Sequence, residues 1–415
     1  MMSDSDFFSH GETYRRAYTD QALPMMSYGL RFQDACVQAV KRLDATRVYV
    51  LSSRSLATSS NSLTALKEAL DGRVVGEHVG VSAHTPISER LEIIGAIRKL
   101  DGVDCLITLG GGSVTDAGKL IRFALANEAY TDDEVNTLWG GHSHNPRQRE
   151  QIIPPTIPLL CIPTSLSGGE YQSIAGATET VSRAKRTFEP KVNPTLTIQD
   201  PELCLLTPQW LWLSSGIRAV DHCVETLCSL QSNTKGDEEA RKGLARLVPG
   251  LLRCKQNAND IEARHLCQLG VVEAMSAVSS GVPLGASHAI GHQLGPLGVG
   301  HGETSCILLP AVCKYNAAQN ANNERRKAVL DLLLRDETVR DLVKSDDLAE
   351  LDLGDVLDRV IRKLGMPRSL KEVDVGRDKL DMLATNSLHD LWIKTNAVPM
   401  TEKSQVMEVL EMVIG

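Results

Sequence analysis

The sequence predicts an α/β domain built on a parallel sheet, residues 1–203, followed by an all-helical domain, residues 204–415. Three observations predict it. Short β-branched runs alternate with amphipathic segments in the first half. Two glycine-rich turns each follow a strand-like run. From Thr207 onward strand-like runs become rare and helical periodicity dominates. A chain of 415 residues is also too long for a single hydrophobic core.

Taken in order, ATRVYVLSS reads as a strand and SNSLTALKEALDG as a helix ending at Gly72. RVVGEHVGV is strand-like, SERLEIIGAIRKLDG helical, and VDCLITLGGG a strand running into glycines. PTIPLLCIPTS and NPTLTIQD add strands after a polar stretch from Asn127 to Pro155, which reads as an excursion loop. Strands separated by helices of this length form βαβ units and a parallel sheet covered on both faces. In the second half, Thr207 reads as an N-cap with Pro208 at the first helical position. Helices follow at DEEARKGLARLVPGLLRC, IEARHLCQLGVVEAMSAV, NERRKAVLDLLLRD, GDVLDRVIRKLG and EKSQVMEVLEMVIG. No internal repeat recurs at a fixed period.

Composition narrows the class of function. The hydrophobic share of 42% is that of a globular protein, not a disordered one. Aromatic residues make up only 4% and net charge is −8 without a basic patch, which argues against nucleic acid and anionic membranes as partners. No run approaches ~18 consecutive apolar residues, the length of a bilayer span. The first twenty residues carry acids and no apolar core, unlike a secretory signal. The ten cysteines are scattered, several inside apolar runs, and no CxxC pair occurs; they read as buried free thiols of a cytoplasmic protein.

LITLGGGSVTDAGKL places Gly110, Gly111 and Gly112 between a strand and a helix. Glycines there let the backbone approach a pyrophosphate, and the amides of a helix N-terminus supply donors and positive potential. Ser113 can cap that helix or donate to a phosphate, and Asp116 lies in its first turn. The pattern is neither GxGxxG nor a Walker A loop, and a ligand-free tight turn is the plainer alternative. IPTSLSGGEYQS offers Thr164, Ser165 and Ser167 as hydroxyl donors after another strand. Both turns are therefore expected at the carboxyl edge of the sheet, where open α/β sheets bind ligands.

Histidines cluster in the helical half. GIRAVDHCVE holds His222, and GASHAIGHQLGPLGVGHGE holds His288, His292 and His301. His288 and His292 are four apart, on one helix face, a spacing suited to metal ligation or proton relay. Gly295-Pro296 is read as ending their helix and His301 as lying on the loop between Gly300 and Gly302. A lone histidine is more often a core or surface residue; three within so short and uncharged a stretch point to a site. His142 and His144, in WGGHSHNPRQ, read as solvated.

These segments together resemble the iron-containing alcohol dehydrogenase family. GGGSVTDAGK is similar to its GGGS-x-x-D-x-x-K segment, IPTSLSGGEYQ to its PT-x-x-x-G-S-E turn, and DPEL to its DP-x-L start. GIRAVDHCVE and the stretch from His288 to His301 match its metal-binding segments, in family order from Tyr28 to Pro399. The resemblance implies the dehydroquinate synthase-like fold of iron-type alcohol dehydrogenases, NADH or NADPH bound between the domains, and a homodimer. Metal-dependent members bind iron or zinc through one aspartate and three histidines. The histidine positions are His222, His288 and His301 here, but Arg218 stands where the aspartate belongs.

A guanidinium cannot ligate a cation. Asp221 is adjacent, but one residue rotates a helical side chain by roughly 100°, and it is expected to pair with Arg218 at i, i+3. A three-histidine metal site remains chemically open. The missing aspartate, the segment VGVSAHTP (residues 79–86) and the SGGE turn resemble the maleylacetate reductase branch, which works without metal and occurs in aromatic-compound catabolism. That resemblance implies reduction of a conjugated keto-dicarboxylate, with Arg218, His222, His288, His292 and His301 catalytic and no resident metal. The plain alternative for Arg218 is a helix-surface salt bridge with Asp221. Rival readings are a metal-dependent alcohol dehydrogenase and a non-redox binding or regulatory protein on the same scaffold, which secondary metabolism also recruits. After the first strand stands Ser52-Ser53-Arg54, with no acid for a ribose 2′-hydroxyl, so NADPH is a possible donor.

Overall fold

The computed structural model describes residues 7–8, 11–82, 86–139, 151–179, 185–344 and 350–415. Contacts divide the chain into two compact units, Met1–Leu206 and Thr207–Gly415.

In the first unit the strands are β1 (Thr13–Arg16), β2 (Met25–Tyr28), β3 (Val48–Ser52), β4 (Val74–Val79), β5 (Cys105–Gly110), β6 (Leu159–Pro163), β7 (Ala175–Thr178), β8 (Lys185–Phe188) and β9 (Leu196–Ile198). Seven of them form one sheet in the order β1-β2-β9-β6-β5-β3-β4. All neighbours run parallel except β1, which pairs antiparallel with β2 at the edge. The sequence reading passed over β1, β2 and the β7–β8 hairpin. Those strands are each four residues long and lack the β-branched runs that mark the centre of the sheet.

Strands β3, β5 and β6 are buried along their whole length. Their side chains alternate between two cores. Tyr49, Leu51, Leu106 and Leu159 join Ile93, Ile97 and Leu120 on one face, whereas Val48, Val50, Ile107 and Leu160 join Ala35, Ala39 and Leu66 on the other. The helices covering these faces are α1 (Phe32–Arg42), α2 (Arg54–Thr58), α3 (Ser62–Ala69), α4 (Ile87–Arg98), α5 (Gly112–Ala126) and α6 (Asp132–Thr137). Helix α6 lies in the stretch read as a loop. Its start is a capping box, in which Thr131 accepts from the Glu134 amide and Glu134 reaches back to the Thr131 amide. His142, His144 and residues 83–85 of VGVSAHTP lie outside the described residues.

Among the described residues the second unit is built of helices without strands: α7 (Gln209–Cys228), α8 (Thr234–Gln256), α9 (Ile261–Ser279), α10 (Ala286–Leu294), α11 (His301–Ala318), α12 (Asn323–Leu333), α13 (Glu337–Leu342), α14 (Leu353–Leu364), α15 (Leu380–Ser387) and α16 (Lys403–Met412). Helix α7 starts one residue later than expected, with Pro208 rather than Thr207 at the N-cap position. Helices α8 and α11 carry Pro249 and Pro310 in their interiors, so packing outweighs the lost hydrogen bond at each. Gly365 closes α14 in the left-handed conformation, φ 72°. All ten cysteines are buried free thiols. Among the described residues no helix is long and apolar enough to cross a membrane.

Candidate active site

Two constellations emerge, one in each unit. In the first, β5 ends at Gly110 directly beside Pro163, the end of β6, so both glycine-rich turns leave the same carboxyl edge. The Thr164 amide donates to the Gly110 carbonyl at 3.1 Å and ties the turns together. Gly110 has φ 150°, a conformation that favours glycine. A Cβ on Gly112 would lie 2.7 Å from Ser167 Oγ, and one on Gly111 3.4 Å from Ser165 Oγ. The hydroxyls of the second turn thus fill the space that the missing side chains leave in the first. Ser165 and Ser167 share a hydrogen bond of 3.0 Å.

Helix α5 begins at Gly112, with Gly111 at the N-cap and no side-chain cap. Ser113 therefore does not cap it; it sits inside the first turn, where the helix amides converge. Asp116 is engaged within the protein, its Oδ1 2.9 Å from Lys119 Nζ and its Oδ2 accepting from the Gly176 amide at 3.1 Å. It anchors β7 to the helix. Lys119 is fully buried and donates to the carbonyls of Gly169 and Ile174. Beside it Glu170 is buried with one oxygen unpartnered, and burial pushes its carboxyl up to about 7.

In the second unit, α7 carries Arg218, Asp221, His222 and Glu225 within two turns, while α10 carries Ser287, His288 and His292. His301 is not on a loop; it is the first residue of α11, because Gly300 serves as the N-cap and Glu303 binds its amide at 3.0 Å. The five residues singled out in the sequence come together around α10. A Cβ on Gly291, between His288 and His292, would lie 3.7 Å from Arg218 Nη1. The rings of His222 and His288 stack at 4.7 Å between centroids and 24° between planes. Arg218 and His301 both stand near enough to His288 to disfavour its protonation.

The expected ion pair between Arg218 and Asp221 is not formed. Ser305, on α11, stands between them, accepting from Arg218 Nη1 at 3.2 Å and donating to Asp221 Oδ2 at 2.6 Å. Ser287 Oγ donates to the same oxygen at 2.8 Å. Nor does Arg218 lie on a helix surface; it is half-buried among the histidines.

Sequence reading missed several members of the site. Glu225 accepts from the amides of Gly285 and Ser287, each at 2.8 Å, and holds His288 Nδ1 at 2.7 Å. Asp390 holds His292 Nδ1 at 2.8 Å. Trp392 packs against both rings, 5.3 Å from His292 and 5.8 Å from His288. Glu225 could have been found, since it follows Asp221 by four residues on the same helix face. Asp390 is 98 residues from its partner and carries no local signal.

Burial sets the protonation states. It pulls the His222 imidazole down to about 3, with the Arg218 charge next in effect, and holds His288 well below the usual range. It pushes the carboxyls of Asp221 and Glu225 up, against the Arg218 charge. Both histidines are therefore neutral at pH 7.

Family comparison is decisive at this point. Residues 30–201 match the model for iron-containing alcohol dehydrogenase, and residues 212–414 match the C-terminal model of the Fe-containing alcohol dehydrogenase family. The chain belongs to the iron-containing alcohol dehydrogenase family. It is 36% identical to the dehydrogenase FUM7 of Gibberella moniliformis (strain M3125 / FGSC 7600), covering 96% of this chain and 98% of that one. It is 35% identical to the dehydrogenase ALT3 of Alternaria alternata, over 88% and 98%. The solved structure of maleylacetate reductase from Agrobacterium tumefaciens superposes with a TM-score of 0.71 at 26% identity, over 92% and 93% of the chains. The family is one of oxidoreductases that use NAD(H).

The residues present fit the iron or zinc of metal-dependent members only in part: His222 Nδ1 and His288 Nε2 are buried without partners, but Arg218 stands where the ligating aspartate belongs. His222 and His288, stacked at 24° between planes, would have to turn before both rings aimed a nitrogen at one ion with Zn–N contacts of about 2.0–2.1 Å. Asp221, Glu225 and His288 do bring ligand atoms within 4.8 Å of one another. Their oxygens, however, are already taken up by serine hydroxyls, backbone amides and the His288 ring, leaving Asp221 Oδ1 without a partner.

Proposed function

We propose that this family member uses NADH or NADPH to reduce a carbon–carbon double bond conjugated to a ketone in a carboxylate-bearing substrate, without a metal ion. The observation that supports it most is Arg218, which stands at the family's metal-binding aspartate and is held among the histidines by Ser305. An arginine there binds a carboxylate bidentately or stabilises the oxygen on which enolate charge develops. Neutral His222 and His288 offer hydrogen bonds without adding charge. The turns of Gly110–Gly112 and Thr164–Ser167 hold the nucleotide pyrophosphate. The small-molecule substrate is the expected partner, in a homodimeric enzyme.

The test is NADH and NADPH oxidation with maleylacetate before and after exhaustive chelation. Turnover that survives chelation supports the reading. Activity that requires stoichiometric iron or zinc overturns its metal-free part and favours the second reading, a metal-dependent dehydrogenase, for which the Asp221, Glu225 and His288 cluster speaks.

A further inference from the structure

The two histidines of α10 have carboxylate partners in opposite surroundings. His288 and Glu225 are both buried, their side chains 1% and 6% exposed. His292 and Asp390 are more open, at 30% and 15%. Where two like groups sit in such different environments, their roles in proton transfer divide.

We propose that Asp390 is the positioning residue that makes His292 the proton donor of the reaction; this rests on the enone-reduction reading. Asp390 is itself fixed, because its Oδ1 accepts from the Trp392 amide at 2.9 Å while Oδ2 holds His292 Nδ1 at 2.8 Å. Trp392 packs its ring against His292, so the imidazole is held at one edge and along one face. With Nδ1 committed to the carboxylate, Nε2 is the nitrogen that serves a substrate. Arg218, His222 and His288 are among its charged and titratable neighbours, and Asp390 offers His292 a negative charge in direct contact.

The chemistry balances. Hydride from the reduced nicotinamide forms a C–H bond at the carbon β to the ketone, the C=C π bond breaks, and its electron pair moves to the enolate oxygen. The enolate re-forms the carbonyl as the α carbon takes the proton from protonated His292, whose N–H bond breaks. Oxidised nicotinamide and neutral imidazole remain, and solvent returns the proton to His292.

The test compares Asp390→Asn and Asp390→Glu with wild type, using maleylacetate and the preferred nucleotide. Asp390→Asn keeps the shape and removes the charge. It is expected to lower kcat about 10–100-fold, with KM within about twofold and a larger solvent deuterium isotope effect on kcat; Asp390→Glu restores part of the rate. A kcat within about twofold of wild type, or an unchanged isotope effect, overturns the proposal. The imidazole 15N spectrum of the unliganded protein provides a second readout. The His292 Nδ1 resonance is expected to shift in Asp390→Asn, and an unmoved resonance overturns the pairing. If wild type reduces no enone, the functional reading fails and the proton-donor role with it, and the nitrogen spectrum then decides only the Asp390–His292 pairing.

Discussion

Ser305 accepts a hydrogen bond from Arg218 at 3.2 Å and at the same time donates one to Asp221 at 2.6 Å. A hydroxyl in that position separates a cation from the carboxylate that would otherwise neutralise it. Arg218 stays oriented by the protein yet keeps most of its guanidinium donors for a ligand.

Removing the relay separates orientation from charge. Ser305→Ala leaves Asp221 with one hydroxyl donor instead of two, at a cost of about 1–2 kcal/mol in stability. It is expected to raise KM for a carboxylate substrate several-fold with nucleotide affinity unchanged. Arg218→Ala raises KM by about 30-fold, and Arg218→Lys recovers only part because an ammonium lacks the planar fork. Steady-state kinetics check both. An Arg218→Ala enzyme with wild-type KM would remove the arginine from substrate binding.

Gly112→Ala tests the turn proposed to bind the nucleotide. The new methyl would stand 2.7 Å from Ser167 Oγ, closer than carbon and oxygen can approach, so the second turn must move. Nucleotide dissociation constants measured by fluorescence titration are expected to rise about tenfold, equivalent to ~1.4 kcal/mol. Adding Ser167→Gly makes room and restores most of the affinity. A double variant no better than Gly112→Ala would show that the space between the turns is not what matters.

Glu170 predicts a pH signature. Burial pushes its carboxyl up to about 7 in the folded protein, against 4.5 for an unperturbed glutamate. Between those values the native state retains a proton that the unfolded chain releases. The stability this provides is complete below pH 4.5 and is lost as pH rises through about 7. Glu170→Gln removes the loss, so at pH 8 it is expected to exceed wild type by roughly 3 kcal/mol and at pH 4.5 to match it. Denaturant melts at the two pH values check this; parallel curves would mean that Glu170 is ionised in the fold.

What the sequence could not disclose follows a physical pattern. The central strands were legible because burial on both faces demands continuous apolar runs, and the long helices because one face must be apolar. Edge strand β1, mostly exposed, has no such constraint. Thr131 and Glu134 did carry a capping signal that went unread in a polar stretch. In the site, residues sharing a helix turn could be grouped, as His288 and His292 were. Ser305 and Asp390 reach their partners across 87 and 98 residues, and only the folded chain brings them together. The Arg218–Asp221 pairing failed for the same reason, since helical spacing predicts proximity but not a third residue between.

Nucleotide preference is expected to turn on Arg54. It opens α2 directly after β3, and the space beside Gly80, which follows β4, is filled by its guanidinium: a Cβ there would lie 2.7 Å from Arg54 Nη2. The adjacent Ser53 packs against Gly110, with Oγ 3.3 Å from that glycine's Cβ position, so the residue before the arginine touches the turn proposed to hold the pyrophosphate. The side chain is exposed, and no acid competes for it within ion-pair distance among the described residues. A free guanidinium at this place favours a 2′-phosphate over a bare ribose. Arg54→Ala is therefore expected to weaken NADPH about tenfold, as expected for the loss of one charge-assisted contact, and to leave NADH within about twofold. Titration of both nucleotides against both proteins measures the difference. Equal losses for the two would place Arg54 in the fold of the turn rather than in the choice of nucleotide.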